Sequence, residues 1–277
     1  MRNYKQGMQN QPRSKDAQLN EFFDTFTQVT NALLLLDYDG TLAPFRVDRF
    51  KARPYSGIRE LLNQIQDHRR VTTRIIFITG RPACEIGPLL GLEKPVEVWG
   101  LHGAEHLHPD GRRELQQPPP ATRIKLDELK SALQKDSFGG LFESKPNAAV
   151  MHWRGASPTQ ARHIARETRK LFEPLAQLDG LTLLEFESGI ELRAGRDKGA
   201  AAEAILAKEG TRASRDPAAF LGDDITDEAA FVSVNASARP HLTALVKPTC
   251  RGTTASLWLK PPDELRAFLR RWINACA

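Results

Sequence analysis

Leu36-Asp37-Tyr38-Asp39-Gly40-Thr41 is the stretch that decides the fold. It follows the apolar run Ala32–Leu36, which shows no period-two alternation. A short run of this kind reads as a strand buried on both faces, as in a parallel sheet. Its end delivers two carboxylates and then a glycine, suited to a tight turn. Arg74–Thr79, Val96–Leu101 and Ala218–Gly222 share the texture. Helical patterns such as Gly57–Gln66 and Lys198–Lys208 lie between the runs. Strands alternating with helices imply a doubly wound, Rossmann-like α/β sheet. His108-Pro109-Asp110-Gly111 reads as a hairpin turn closing its first part.

Pro118-Pro119-Pro120 breaks the pattern. Ile124–Lys135 then reads as a helix, and Leu141–Lys145 with Ala148–Arg154 as a hairpin around Pro146-Asn147. Ser157 followed by Pro158 and Gln160 is a helix start with a capping pair. Leu181–Glu187 and Ile190–Arg193 read as a second hairpin turning at Ser188-Gly189. After Gly195 the buried-strand texture returns. The expected organisation is a basic disordered tail over residues 1–20, an α/β core over 21–117 and 195–277, and a smaller α+β lid over 118–194.

The chain has 277 residues, 40% hydrophobic and 26% charged, ordinary for a folded protein. The net charge is +5, but Arg2, Lys5, Arg13 and Lys15 against Asp16 put three of those charges in the first 20 residues. No basic stripe with interleaved aromatics remains to suggest nucleic acid. The longest apolar run is too short to span a bilayer. Cys84, Cys250 and Cys276 are odd in number and far apart, which fits a reducing compartment and points to the cytoplasm.

In open α/β sheets, ligands bind at the carboxyl ends of the strands. Three strand ends carry Asp37 and Asp39, then Thr79-Gly80-Arg81-Pro82, then Gly222-Asp223-Asp224-Ile225-Thr226-Asp227. Lys198 opens a helix just before Gly199. Singly, each has a bland reading: a solvated turn, a helix start that favours acids, a surface lysine. Together, five carboxylates on one rim call for a hard cation, and Mg²⁺ suits carboxylates, waters and a phosphate. With a hydroxyl, a lysine and helix N-termini added, the set describes phosphoryl transfer.

DYDGTLAPF at 37–45, IIFITGRP at 75–82, DKGAA at 197–201 and LGDDITDEAAF at 221–231 resemble, in order, the four motifs of the haloacid dehalogenase-like phosphatases. The insert resembles that superfamily's second type of cap. TLAPF at 41–45, GLHGAE at 100–105, ESKP at 143–146 and HWR at 152–154 resemble the trehalose-6-phosphate phosphatases, and the likeness covers residues 30–270. The resemblance implies Asp37 as nucleophile, and Asp39 as the general acid and then base, held partly protonated before attack. It implies Mg²⁺ held by the Asp37 side chain, the Asp39 backbone carbonyl and Asp223. Asp224 and Asp227 support the metal or its waters, and Asp227 also holds Lys198. Thr79 and Lys198 bind phosphate oxygens. The implied substrate is trehalose 6-phosphate. Another sugar phosphate, a phosphomutase reaction and a non-catalytic sensor stand as alternatives. Functional coupling to the synthase that makes the substrate is a further expectation.

Strand alternation adds a reading of the lid. Val150, His152 and Arg154 share one face, Glu143 and Lys145 another pair, and Glu185 with Glu187 and Glu191 with Arg193 two more. The apolar faces take the helices, leaving a charged face toward the core. Lys145, Arg154 and Glu191 are the expected sugar contacts, with His152 and Glu143 next. The resemblance places His102, Gly103 and Glu105 in a loop near the substrate. Arg81 contacts substrate or pairs with a neighbouring acid. His102, His106 and His108 invite a zinc reading that lacks a cysteine or an evident carboxylate partner. His106 and His108 are expected at the surface.

Overall fold

The computed structural model describes residues 14–46, 48–135, 141–153, 155–186, 189–208 and 215–277. In chain order the elements are α1 (Lys15–Asp24), β1 (Asn31–Leu36), α2 (Ile58–Asp67), β2 (Thr72–Ile78), α3 (Ile86–Leu90), β3 (Glu97–Gly100), β4 (Glu105–Leu107) and β5 (Arg113–Leu115). Then come α4 (Pro120–Lys135), β6 (Phe142–Lys145), β7 (Ala148–His152), α5 (Pro158–Phe172), β8 (Leu181–Phe186) and β9 (Gly189–Ala194). The chain closes with α6 (Lys198–Lys208), β10 (Ala218–Gly222), α7 (Glu228–Asn235), β11 (His241–Val246), β12 (Leu257–Leu259) and α8 (Asp263–Cys276).

One sheet of eight strands runs β12-β11-β10-β1-β2-β3-β4-β5. Its pairings are parallel from β12 to β3, and β4 and β5 add an antiparallel edge. The chain builds outward from β1 through β2 and β3, and later from β10 in the opposite direction. The strand order therefore reverses between β1 and β10, and a crevice opens at their carboxyl ends. The unalternating leucines of β1 follow from layers on both faces. Leu34 and Leu36 enter one core with Phe22 of α1, Leu62 of α2 and Phe268 of α8. Leu33 and Leu35 enter the other with Ala202 of α6 and Phe231 of α7. In α2 the buried residues Ile58, Leu61, Leu62 and Ile65 recur at helical spacing. Each such burial stabilises the fold by about 1.5–3 kcal/mol.

Residues 15–20, expected in a disordered tail, form the start of α1. Ser14 caps it by accepting the Ala17 N–H. Leu19, Phe22 and Phe23 are buried, and the Phe26 ring meets Trp272 of α8 edge-on at 4.9 Å. The polar first turn conceals this apolar spacing. Residues 1–13 lie outside the described part of the chain.

The insert is a four-stranded antiparallel sheet, β6-β7-β9-β8, with α4 and α5 on one face. Leu126, Leu133, Ile164 and Phe172 from the helices pack on Ala149, Met151, Ile190 and Leu192 of the sheet. Ser157 and Gln160 close a reciprocal capping box at the start of α5. α4 starts at Pro120, four residues before the expected Ile124, because proline suits a first helical turn. Of the expected Ser188-Gly189 turn, Ser188 lies outside the described residues, and Gly189 opens β9. Among the described residues no helix is long and apolar enough to cross a membrane.

Candidate active site

β1 and β10 end side by side. Leu36 pairs with Leu221, and the Asp37 N–H donates to the Leu221 carbonyl at 2.9 Å. The residues just beyond these strand ends include Asp37 and Asp223. Lys198, the first residue of α6, reaches between the elements, its Nζ 2.7 Å from Asp37 Oδ1 and 2.7 Å from Asp227 Oδ1. Asp227 Oδ2 accepts the N–H groups of Asp223 at 3.0 Å and Asp224 at 2.9 Å. Asp224 caps the following turn, accepting the Ile225 N–H at 2.7 Å. Asp37, Lys198, Asp223 and Asp227 are each at most 4% exposed. Gly40 is required twice over: its φ is +81°, and a Cβ there would stand 2.2 Å from Asp223 Oδ2.

Asp37, Asp223 and Asp227 bring carboxylate oxygens within 4.8 Å of one another around one lysine. Burial pushes Asp37 up to about 7; Lys198 opposes the rise and Asp227 adds to it. Burial, then Asp37 and Asp227, raise Asp223 well above the ordinary carboxylate range. Burial disfavours a charged Lys198, but Asp227 and Asp37 outweigh it and raise its pKa. The cluster is thus short of positive charge. Asp223 Oδ1 is buried with no hydrogen-bond partner among the described residues. An orphaned carboxylate oxygen in a hard-oxygen cluster fits a Mg²⁺-type cation. Asp227 has both oxygens engaged and acts as a bracket for Lys198 and the Asp223–Asp224 backbone.

Asp39 turns away from this cluster. Arg81 holds it with a two-pronged ion pair, Nε at 2.6 Å and Nη2 at 2.7 Å. Of the two readings for Arg81, the acid partner is the one seen. Both Asp39 oxygens accept from one guanidinium, so in this conformation neither presents a proton to a leaving group. Arg81 also reaches Glu85 at 3.2 Å and the Arg49 carbonyl at 2.9 Å. Thr79 is buried at the end of β2, its hydroxyl accepting the Arg81 N–H at 3.2 Å.

A cavity of about 460 Å³ lies above these residues, within the range of small-molecule sites. Asp37, Asp39, Thr79, Arg81, His102, Lys198, Asp223 and Asp224 line its floor. The open face of the insert's sheet is its roof. Glu143, Val150, Glu191 and Leu184 form one cross-strand row there, each register partner beside the next. Lys145, His152 and Phe186 flank the row. Glu191 sits 3.3 Å from Lys145 and 3.4 Å from His102 of the floor. Burial would raise Glu191, but Lys145 and His102 hold it far below the carboxylate range. Burial pushes His102 down to about 4 against the pull of Glu191, leaving a neutral ring. Glu143 accepts from His152 at 3.0 Å and from Arg49 of the core. Burial opposes its ionisation, yet His152, Lys145 and Arg49 hold it at about 2.

Several expectations need correction. The roof is not uniformly charged: β8 turns Leu184 and Phe186 inward, and Glu185 faces outward to Arg169 of α5 at 2.6 Å. Gly103 and Glu105 do not line the cavity. Gly103 packs on α6, where a Cβ would meet Ala201 at 2.7 Å. Glu105 is wholly buried, accepts the Ala83 N–H at 2.8 Å and pairs with Arg113. Both shape the loop that aims His102. His106 is buried rather than at the surface. Arg154 and Glu187 lie outside the described residues. Sequence reasoning missed Phe45, Arg49 and Thr226 as lining residues. Phe45 and Phe50, on either side of Arg49 in sequence, are more than half exposed.

The family model for trehalose-phosphatase matches residues 35–260. The chain is 28% identical over 252 residues to a trehalose-phosphate phosphatase of Mycobacterium marinum, covering 88% of this chain and 62% of that protein. It is 30% identical over 208 residues to a bifunctional trehalose-6-phosphate synthase/phosphatase of Thermoproteus tenax, covering 74% and 28%. A probable trehalose-phosphate phosphatase C of Arabidopsis thaliana is 26% identical over 255 residues, covering 87% and 77%. The chain thus spans less than two thirds of the first two relatives. Among solved structures, the C-terminal domain of C. albicans trehalose-6-phosphate phosphatase superposes with a TM-score of 0.75 at 22% identity, covering 93% and 96%. A haloacid dehalogenase-like hydrolase from B. subtilis superposes at 0.60 with 16% identity, covering 86% and 98%. These likenesses give the fold, a doubly wound α/β core carrying an inserted α+β module, and the match over residues 35–260 makes the chain a member of the trehalose-phosphatase family.

Proposed function

We propose that the chain hydrolyses trehalose 6-phosphate to trehalose and phosphate. The observation that carries the reading is the buried Asp37–Lys198 pair on the floor of a cavity roofed by paired polar side chains. Asp37 Oδ attacks phosphorus, and the bond from phosphorus to the sugar oxygen breaks. Asp39 gives the departing oxygen a proton, then takes one from the water that hydrolyses the aspartyl-phosphate. For this, Asp39 exchanges its Arg81 pair for the substrate side of the cavity. Arg81 is then a positioning residue that holds Asp39 until substrate arrives. Lys198 has three N–H donors, and two serve Asp37 and Asp227. The third, with the Thr79 hydroxyl, is available to phosphate oxygens.

The Asp37 side chain, Asp223 and the Asp39 backbone carbonyl would hold Mg²⁺, with Asp224 close by. The ion would offset the negative charge that otherwise opposes a phosphate dianion. Glu143, Lys145, His152 and Glu191 are the proposed sugar contacts. Lys145 and Glu191 release each other in part to meet sugar hydroxyls. The bifunctional relative motivates a functional link to the enzyme that makes the substrate. Cys84, Cys250 and Cys276 are all free, which supports a cytoplasmic setting.

The test is phosphate release by the purified chain with Mg²⁺ from trehalose 6-phosphate, glucose 6-phosphate, sucrose 6-phosphate and mannose 6-phosphate. A preference for trehalose 6-phosphate that EDTA abolishes supports the whole reading. Activity on another sugar phosphate alone keeps the floor and overturns the roof. No release from any of them moves the weight to a mutase or a sensor.

A further inference from the structure

We propose that His106, His108 and Glu114 form a second metal site, for a divalent transition-metal ion of the zinc class, on the outer hairpin of the core sheet. The register builds it. His106 on β4 stands directly opposite Trp99 on β3 and Glu114 on β5. His108 is two residues further on and shares that face. The two imidazoles lie 3.8 Å apart between ring centres, and Trp99 stacks on His106 at 4.3 Å. One ligand atom from each of His106, His108 and Glu114 falls within 4.8 Å of the others.

The second observation is the state of His106. Its Nε2 is 2.8 Å from Glu97 Oε1. Glu97 is 4% exposed and also accepts from Trp99 Nε1 and Arg74 Nε, each at 3.0 Å. Trp99 and Arg74 already donate to Glu97, so it serves as the acceptor at Nε2, which places the ring proton there and leaves the lone pair on Nδ1. That Nδ1 is buried, without a hydrogen-bond partner among the described residues, and 4.0 Å from Glu114 Oε2. The other Glu114 oxygen lies 2.9 Å from His108 Nε2. A carboxylate behind an imidazole whose far nitrogen faces open ligands is the outer-shell pattern of bound zinc. Two imidazoles and one carboxylate suit zinc-class ions over Mg²⁺, with water as the fourth ligand. The Glu114 side chain is 64% exposed and free to swing the remaining distance. The ion would pin β5 to β4, the hairpin that follows the His102 loop.

The full chain, stripped with EDTA and kept in excess Mg²⁺, is titrated with Zn²⁺ by calorimetry, and with Co²⁺ by visible absorption. One equivalent of Zn²⁺ should bind and persist in Asp223→Asn, which disables the floor cluster. His108→Gln and Glu114→Gln, both at accessible positions, should each weaken that binding about tenfold or more. His108→Gln should keep phosphate release with Mg²⁺ within about twofold. Zn²⁺ uptake that survives both hairpin variants and vanishes in Asp223→Asn would place the ion only at the floor and overturn the proposal. No uptake by the unmodified chain would reduce the cluster to a proton-bearing hydrogen-bond network.

Discussion

The floor and the roof of the cavity are built on opposite electrostatic plans. On the floor, two buried carboxylates share Lys198, and the neighbouring Asp223 keeps an unpartnered oxygen. On the roof, Glu191 is matched by Lys145 and His102, and Glu143 by His152 and Arg49. The floor is therefore incomplete without a cation, whereas the Glu143 and Glu191 carboxylates of the roof are partnered without a ligand. In the proposed reaction the floor would carry the chemistry, and the roof would select by exchanging its internal pairs for substrate groups. Changes below should act on kcat, and changes above on KM.

The largest effect should come from Asp37→Asn. Phosphate release should fall by about 10⁴-fold or more while substrate still binds, because removing a nucleophile removes the step itself. A loss under tenfold, measured by phosphate release, would remove Asp37 from the reaction. Glu191→Gln should lower kcat/KM for trehalose 6-phosphate about 10- to 100-fold, the worth of a charged hydrogen bond of ~1.5–3 kcal/mol. Its rate on a small aryl phosphate should stay within about twofold. Equal losses on both substrates would end the division between floor and roof. Arg81→Lys keeps the charge but loses the two-pronged grip on Asp39. We expect kcat to drop about tenfold with KM little changed, read from initial rates.

Proton linkage sharpens the contrast. Asp37 is raised from 3.8 to about 7 in the metal-free fold, so the folded chain binds that proton more tightly than the unfolded one. The resulting stability is full below about pH 4 and is lost as pH rises through about 7. A cation can take the proton's place only when the carboxylate is ionised. The Tm gain from adding Mg²⁺ should therefore be small near about pH 5 and larger near about pH 8. A gain independent of pH would mean that Mg²⁺ does not bind at Asp37. Arg49→Ala should give the smallest effect. Its side chain is 39% exposed, which limits its ion pair with Glu143 to ~1 kcal/mol or less. A several-fold rise in KM is the upper limit expected.

The floor was legible because its side chains are placed by backbone events that leave marks in the chain. A strand ends at Leu36, a helix begins at Lys198, and Asp227, four residues after Asp223, accepts that residue's N–H. The roof was legible only in part. Alternation placed Glu143, Lys145 and Glu191 together, but the phase of β8 was misjudged. Leu183 and Leu184 are adjacent leucines, so composition cannot say which faces inward. The pairing of Leu184 with Glu191 decides it. Arg49 and Glu85 were illegible, because their meeting at 2.5 Å joins loops 36 residues apart. The orientation of Asp39 depends on a rotamer, which no motif records. His106 was misplaced because its burial depends on Glu97 and Trp99 of a neighbouring strand.

The way the insert joins the core has a further consequence. The Gln116 N–H donates to the Ala104 carbonyl at 2.8 Å just before the chain leaves for the roof. On its return, Gly195 has a φ of +100°, and a Cβ there would lie 3.3 Å from Ala104 Cβ and 3.7 Å from Gln116 Oε1. Departure and re-entry thus share one doorway. A module whose two ends meet can be replaced without lengthening any strand or loop beneath it. The roof is in this sense a cassette. A lineage could change its clientele of sugars by trading that piece alone, with the phosphate chemistry below inherited intact.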